Sequence, residues 1–143
     1  MLVVDASVWV SRYLPTEETH DASRQWLESY LRAGGQIVEP VLLLVELSAA
    51  ISRCTGATDV AWETSERLTR LRGIRFVPLD RRLGVMATRV AADRRLRGAD
   101  AIYAAVAHRL EIPLVTWDRE QLARATGLIR VGTPDEIEPI PRL

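Results

Sequence analysis

Lysine is absent from this 143-residue chain: all 19 basic residues are arginine, and they balance 19 acids to a formal net charge of zero. A receiver-type phosphotransfer site, which needs a lysine near its aspartate, is therefore disfavoured. Neutrality also argues against sequence-independent gripping of long duplexes through a broad positive field. The single cysteine, Cys54, cannot form an internal disulfide, in keeping with a cytoplasmic home. No apolar stretch approaches the ~20 residues of a membrane span. The opening Met1-Leu2-Val3-Val4-Asp5 lacks a basic leader region and is read as a strand. Histidine is scarce as well: His20 and His108 are read as surface or packing residues.

What remains is ordinary for a globular chain, with 48% hydrophobic and 27% charged residues. The length suits one domain spanning 1–143, enough to bury about 70% of its unfolded surface. Short apolar runs alternate with helical patterns, the mark of an α/β fold built from βα units around a mainly parallel sheet. Strands are expected near 2–5, 36–39, 75–78, 112–116 and 128–131. Between them, Ala22, Trp26, Leu27, Tyr30 and Leu31 make one helical face. Pro40 suits the first position of a helix carrying Val41–Leu47. Helices are also expected around 60–71, 83–91, 102–110 and 119–126. An irregular tail should begin near Gly132, with Pro134, Pro139 and Pro141.

Four acids sit where an apolar element begins or ends. Asp5 follows Leu2-Val3-Val4, and Glu46 is the one charge within Val41–Leu47. Asp100 opens the run Ala101–Ala107, and Asp118 follows Ile112–Trp117. Carboxylates beside apolar runs are costly to bury unpaired. A divalent metal would repay that cost, because hard cations take oxygen ligands from converging carboxylates. In open α/β sheets such a site forms outside the carboxyl ends of the strands, where Asp5 and Asp118 are expected. Bound Mg²⁺ or Mn²⁺ suits phosphodiester hydrolysis, polarising a phosphoryl oxygen and orienting a water. Arg94, Arg95, Arg97 and Arg119 flank Asp100 and Asp118 and are candidate phosphate contacts, since a guanidinium fork matches phosphate oxygens.

Val3-Val4-Asp5-Ala6-Ser7, Glu46 in an early helix, Gly98-Ala99-Asp100-Ala101 and Thr116-Trp117-Asp118 together resemble the PIN-domain nucleases, in order and spacing. The resemblance runs over about residues 1–131, and the size is similar to VapC-type toxins of toxin–antitoxin pairs. It implies an α/β/α sandwich with about five strands and a Mg²⁺- or Mn²⁺-dependent endoribonuclease, which would make the phosphates met by those arginines RNA. It further implies a homodimer, inhibited by a small cognate antitoxin. By resemblance, Asp5 and Asp100 are the principal metal ligands, and Glu46 and Asp118 act through water or on a second ion. Ser7 and Thr116 match hydroxyl positions that orient ligands or water.

Two other readings stay open. The acidic pocket of a PIN-like binding module would hold a partner's arginine with little or no catalysis. A phosphoryl-transfer receiver or phosphatase on a similar sheet is more remote, because the one lacks its lysine and the other would want an aspartate where Ser7 stands. Individually, Asp5 can end a strand, Asp100 can cap a helix and Asp118 can begin a turn. Trp9 and Tyr13, four residues apart after Asp5, are read as core or as part of a partner surface.

Overall fold

In the computed structural model, which describes residues 1–138, five short strands alternate with seven helices. The strands are β1 (Val3–Val4), β2 (Ile37–Pro40), β3 (Ile74–Val77), β4 (Leu114–Val115) and β5 (Val131–Gly132). The helices are α1 (Ala6–Tyr13), α2 (His20–Arg32), α3 (Leu42–Thr55), α4 (Thr58–Leu68), α5 (Arg81–Arg94), α6 (Gly98–Leu110) and α7 (Arg119–Ala125). All strand pairs are parallel: β1 with β4, β4 with β5, and β2 with β3. A single parallel bridge, Leu2 to Ile37, joins the two sets into the order β3-β2-β1-β4-β5.

Every residue of β1, β2 and β4 is buried. Successive strand residues point to opposite faces, so helices must cover both sides of the central strands. That is the α/β sandwich the alternating pattern predicts. The middle of α6, Ala101 to Ala107, is buried almost all round, apart from half-buried Ile102. Its four alanines bring the helix backbone close to β1, β2 and β4, against which it packs, while α5 lies against α6. A helix apolar on all sides belongs inside a protein. Asp100, in its first turn, is thereby carried into the interior.

Several boundaries differ from the sequence reading, each for a local reason. Pro40 ends β2, paired with Val77, rather than opening a helix; Val41 donates its N–H to Val77 O at 3.0 Å, and α3 starts at Leu42. Glu46 therefore lies about one turn into its helix. The expected strand at 128–131 begins only at Val131, because Gly127 adopts a left-handed φ of 88°. That turn sends the N–H groups of Leu128 and Ile129 back to Ala125 O. The helix α1 was not distinguished in the sequence. Trp9 is core, and Cys54 is exposed. Residues 133–138 form no helix or strand, as expected of the tail; Pro139 and Pro141 lie outside the described residues.

Candidate functional site

The carboxyl ends of β1 and β4 lie side by side, and the chain turns into a helix after each. Both turns are capped by an acid. Asp5 is the N-cap of α1, its Oδ2 accepting from Ser7 N at 2.9 Å. Asp118 is the N-cap of α7, its Oδ1 accepting from Gln121 N at 2.9 Å. The bland reading of Asp118 was the start of a turn, and that of Asp100 a helix cap; in the structure Asp118 is the cap, while Asp100 lies within the first turn of α6.

Two hydroxyls stitch these turns together. Thr116 donates to Asp5 Oδ2 at 3.2 Å and its Oγ1 accepts from Asp118 N at 3.0 Å. Because Thr116 has only one proton to give, Ser7 must be the donor in the 3.3 Å contact between their hydroxyls. Ser7 Oγ in turn accepts from Trp117 N at 3.0 Å. The carboxylate of Asp5 is thus fixed by two donors, Ser7 N and Thr116 Oγ1, both on Oδ2.

Glu46 and Asp100 arrive from helices. Glu46 Oε2 accepts from Tyr103 Oη at 2.6 Å, a bond between α3 and α6. Gln121, fully buried, donates from Nε2 to Asp100 O at 3.3 Å, tying α7 to the first turn of α6. Arg97 donates from Nε to Asp100 Oδ2 at 2.9 Å and from a terminal nitrogen to Asp118 Oδ2.

The four acids are close enough to act on one another. Burial raises the carboxyl pKa of Asp5, and the charge of Asp118 adds to it against the hydrogen bonds from Ser7 and Thr116. Burial likewise raises Glu46, with Asp5 and Asp100 contributing, and raises Asp100, with Arg97 opposing. Each of Asp5, Glu46 and Asp100 keeps one oxygen without a protein partner among the described residues, and none of those oxygens is sealed from solvent. Hard, solvent-reached oxygens on mutually repelling acids fit a divalent cation in type. As the side chains stand, no group of three or more acidic, histidine or cysteine side chains among the described residues is placed to share one ion. Arg97 is the cation between two of them.

The other candidate arginines go elsewhere. Arg94 donates to Thr126 O at 3.3 Å, and Arg95 is an exposed, left-handed C-cap of α5. Arg119 is exposed beside Asp118 and forms no ion pair among the described residues.

The sequence reading missed Glu39, which is wholly buried at the end of β2. Its Oε1 accepts from Trp9 Nε1 at 2.9 Å and from Val4 N at 3.2 Å, while Oε2 has no partner among the described residues. Burial drives its pKa well above the usual carboxyl range. Glu39 obeys the signal that singled out Asp5, an acid closing an apolar strand, but Pro40 follows it and was read as the start of a helix. Tyr103 was also missed, since an aromatic within an apolar helix reads as packing alone.

A PIN-domain family model matches residues 2–128. No curated protein matches the sequence. Among solved structures, the chain is similar to VapC20 of Mycobacterium tuberculosis, described as a toxin that cleaves the sarcin–ricin loop. The TM-score is 0.73 at 18% identity, covering 91% of this chain and 99% of that one. FitAcB from Neisseria gonorrhoeae matches with a TM-score of 0.70 at 18% identity, over 96% and 100% of the two chains. A toxin–antitoxin complex from Klebsiella pneumoniae matches with a TM-score of 0.68 at 17% identity, over 94% and 98%. At these identities the likeness is one of fold.

Proposed function

Because the chain belongs to the PIN-domain family, we propose that it is a metal-dependent endoribonuclease, the toxin member of a toxin–antitoxin pair. The observation that carries this reading is the meeting of Asp5, Glu46, Asp100 and Asp118 at one rim of the sheet, three of them with a free, solvent-reached oxygen. Asp5 and Asp100 are the principal ligands for Mg²⁺ or Mn²⁺, with Glu46 and Asp118 acting through water or on a second ion. A bound ion would supply Lewis-acid chemistry there, polarising a phosphoryl oxygen and orienting a water.

The protein's own part is to hold oxygens in place. Ser7 and Thr116 fix one oxygen of Asp5 and leave the other free. Tyr103 does the same for Glu46. Gln121 holds Asp118 through its backbone N–H and Asp100 through its side chain. Arg97 and Arg119, beside Asp118, are the proposed contacts to RNA phosphates, with Arg94 and Arg95 as further candidates at the end of α5. The chain works as a single domain and a cytoplasmic homodimer, held inactive by a cognate antitoxin. Similarity to the fold of a protein in a toxin–antitoxin complex supports that partner. No helix among the described residues is long and apolar enough to cross a membrane.

The test is cleavage of total cellular RNA by partner-free protein in Mg²⁺, Mn²⁺ or EDTA, beside Asp5→Asn. Discrete metal-dependent cuts, lost in the variant, are expected. Full activity in folded Asp5→Asn would sink the assignment.

One observation favours a second reading. A guanidinium already spans Asp100 and Asp118, so the pocket accepts arginine. As a binding module it would hold a partner's arginine and cut nothing. Folded protein that retains a basic partner segment yet leaves RNA intact with every metal would select that reading.

A further inference from the structure

Arg97 occupies the N-cap of α6, and nothing about helix formation asks for it there. The position favours Ser, Thr, Asp or Asn, whose oxygens accept from the first turn. Arginine has no acceptor, and the helix begins without a side-chain cap. A cation at the positive end of the helix dipole is also unfavourable. The ion-pair partners of Arg97 are Asp100, three residues on, and Asp118, from the turn after β4. These two acids belong to the cluster assigned to the metal, so the guanidinium sits where a cation's charge is wanted.

We propose that Arg97 is an internal competitor of the divalent cation, pairing with Asp100 and Asp118 until the ion displaces it, and so sets the ion concentration at which the site fills. This rests on the metal-dependent reading of the site. The pair is suited to exchange. The Arg97 side chain is 63% exposed, against 12% for Asp100 and 25% for Asp118. An ion pair with so exposed a member holds weakly and opens readily. A site blocked four-fifths of the time, about the most so exposed a pair sustains, shows an apparent dissociation constant raised about fivefold, and removing the block removes that factor. Once displaced, Arg97 remains tethered three residues from Asp100, a free guanidinium beside the phosphodiester.

The test is Mn²⁺ binding, followed by the electron paramagnetic resonance of free Mn²⁺, in the wild type, Arg97→Ala and Asp5→Asn, with no RNA present. Arg97→Ala should bind up to about fivefold more tightly. Guanidinium at a non-denaturing concentration should weaken binding to Arg97→Ala more than to the wild type, beyond the effect of equal sodium chloride. A variant that merely loosened the helix end would not show that rescue. Should Arg97→Ala fail to fold, Arg97→Gln removes the same charge with less loss of bulk. Equal or weaker Mn²⁺ binding in the folded variant, with Asp5→Asn still defective, overturns the competitor and leaves the metal site standing. Absence of Mn²⁺ binding in the wild type and Arg97→Ala alike overturns both.

Discussion

Two carboxyl environments flank the end of the central strand, and they meet the cost of a buried acid by opposite means. Behind the strand, Glu39 is sealed and accepts from two neutral donors, Trp9 and the backbone of Val4. Its raised pKa means that burial favours the uncharged form. At the rim, Asp100 and Asp118 share an exposed arginine and remain open to solutes. The inner arrangement is permanent, because nothing can reach it to take the place of the donors. The outer one can be exchanged, because a cation from solution does the same electrostatic work as the guanidinium. Structure and function are thus separated by depth within one cluster of acids.

The comparison breaks most severely at Glu39. Glu39→Ala strands two buried donors and opens a cavity, which should cost about 3 kcal/mol or more of folding stability, read from the denaturant midpoint. A loss under about 1 kcal/mol would mean that the inner carboxyl is not structural.

Glu39→Gln should behave quite differently, since an amide oxygen can still accept from Trp9 and Val4. The folded protein binds the Glu39 proton more tightly than the unfolded chain does. Stability contributed by that proton is complete below the ordinary value of 4.5 and is lost as pH rises towards the raised value. The amide has no such loss. Melting temperatures of wild type and Glu39→Gln should therefore be closest near pH 4.5 and separate, in favour of the variant, with rising pH. Parallel curves would refute the assignment.

The smallest effect is expected at the rim. Asp118→Asn keeps an oxygen for Gln121 N but loses the charge that faces Arg97, so stability should change by less than about 1 kcal/mol. RNA cleavage should nevertheless fall, and a variant equally active in Mg²⁺ would remove Asp118 from the site.

The same contrast of depth explains what could be read without coordinates. The rim acids were legible because each interrupts or closes an apolar run, and all five strands show as short apolar segments. The position of β5 was not, because Leu128 and Ile129 look like strand residues while their N–H groups are claimed by Ala125 O in the Gly127 turn. Pro40 was misplaced because a proline suits a strand end and a helix start equally, and only pairing with Val77 decides. Glu39 escaped because its partners, Val4 and Trp9, are distant in sequence and chemically inconspicuous. The bridge from Arg97 to Asp118 depends likewise on a tertiary neighbour, although Arg97 itself stood out.

The position of β1 bears on when the protein can act during its own synthesis. This strand is made before the other four, yet it ends up in the middle of the sheet, beside a strand made more than a hundred residues later. A nascent chain that stops before Leu114 leaves one edge of β1 open, and Asp5 without Thr116. Stalled chains released at such a point should unfold without a sharp transition. Asp118, the last of the four rim acids, follows β4, so the cluster is complete only once that strand and the turn after it have been made.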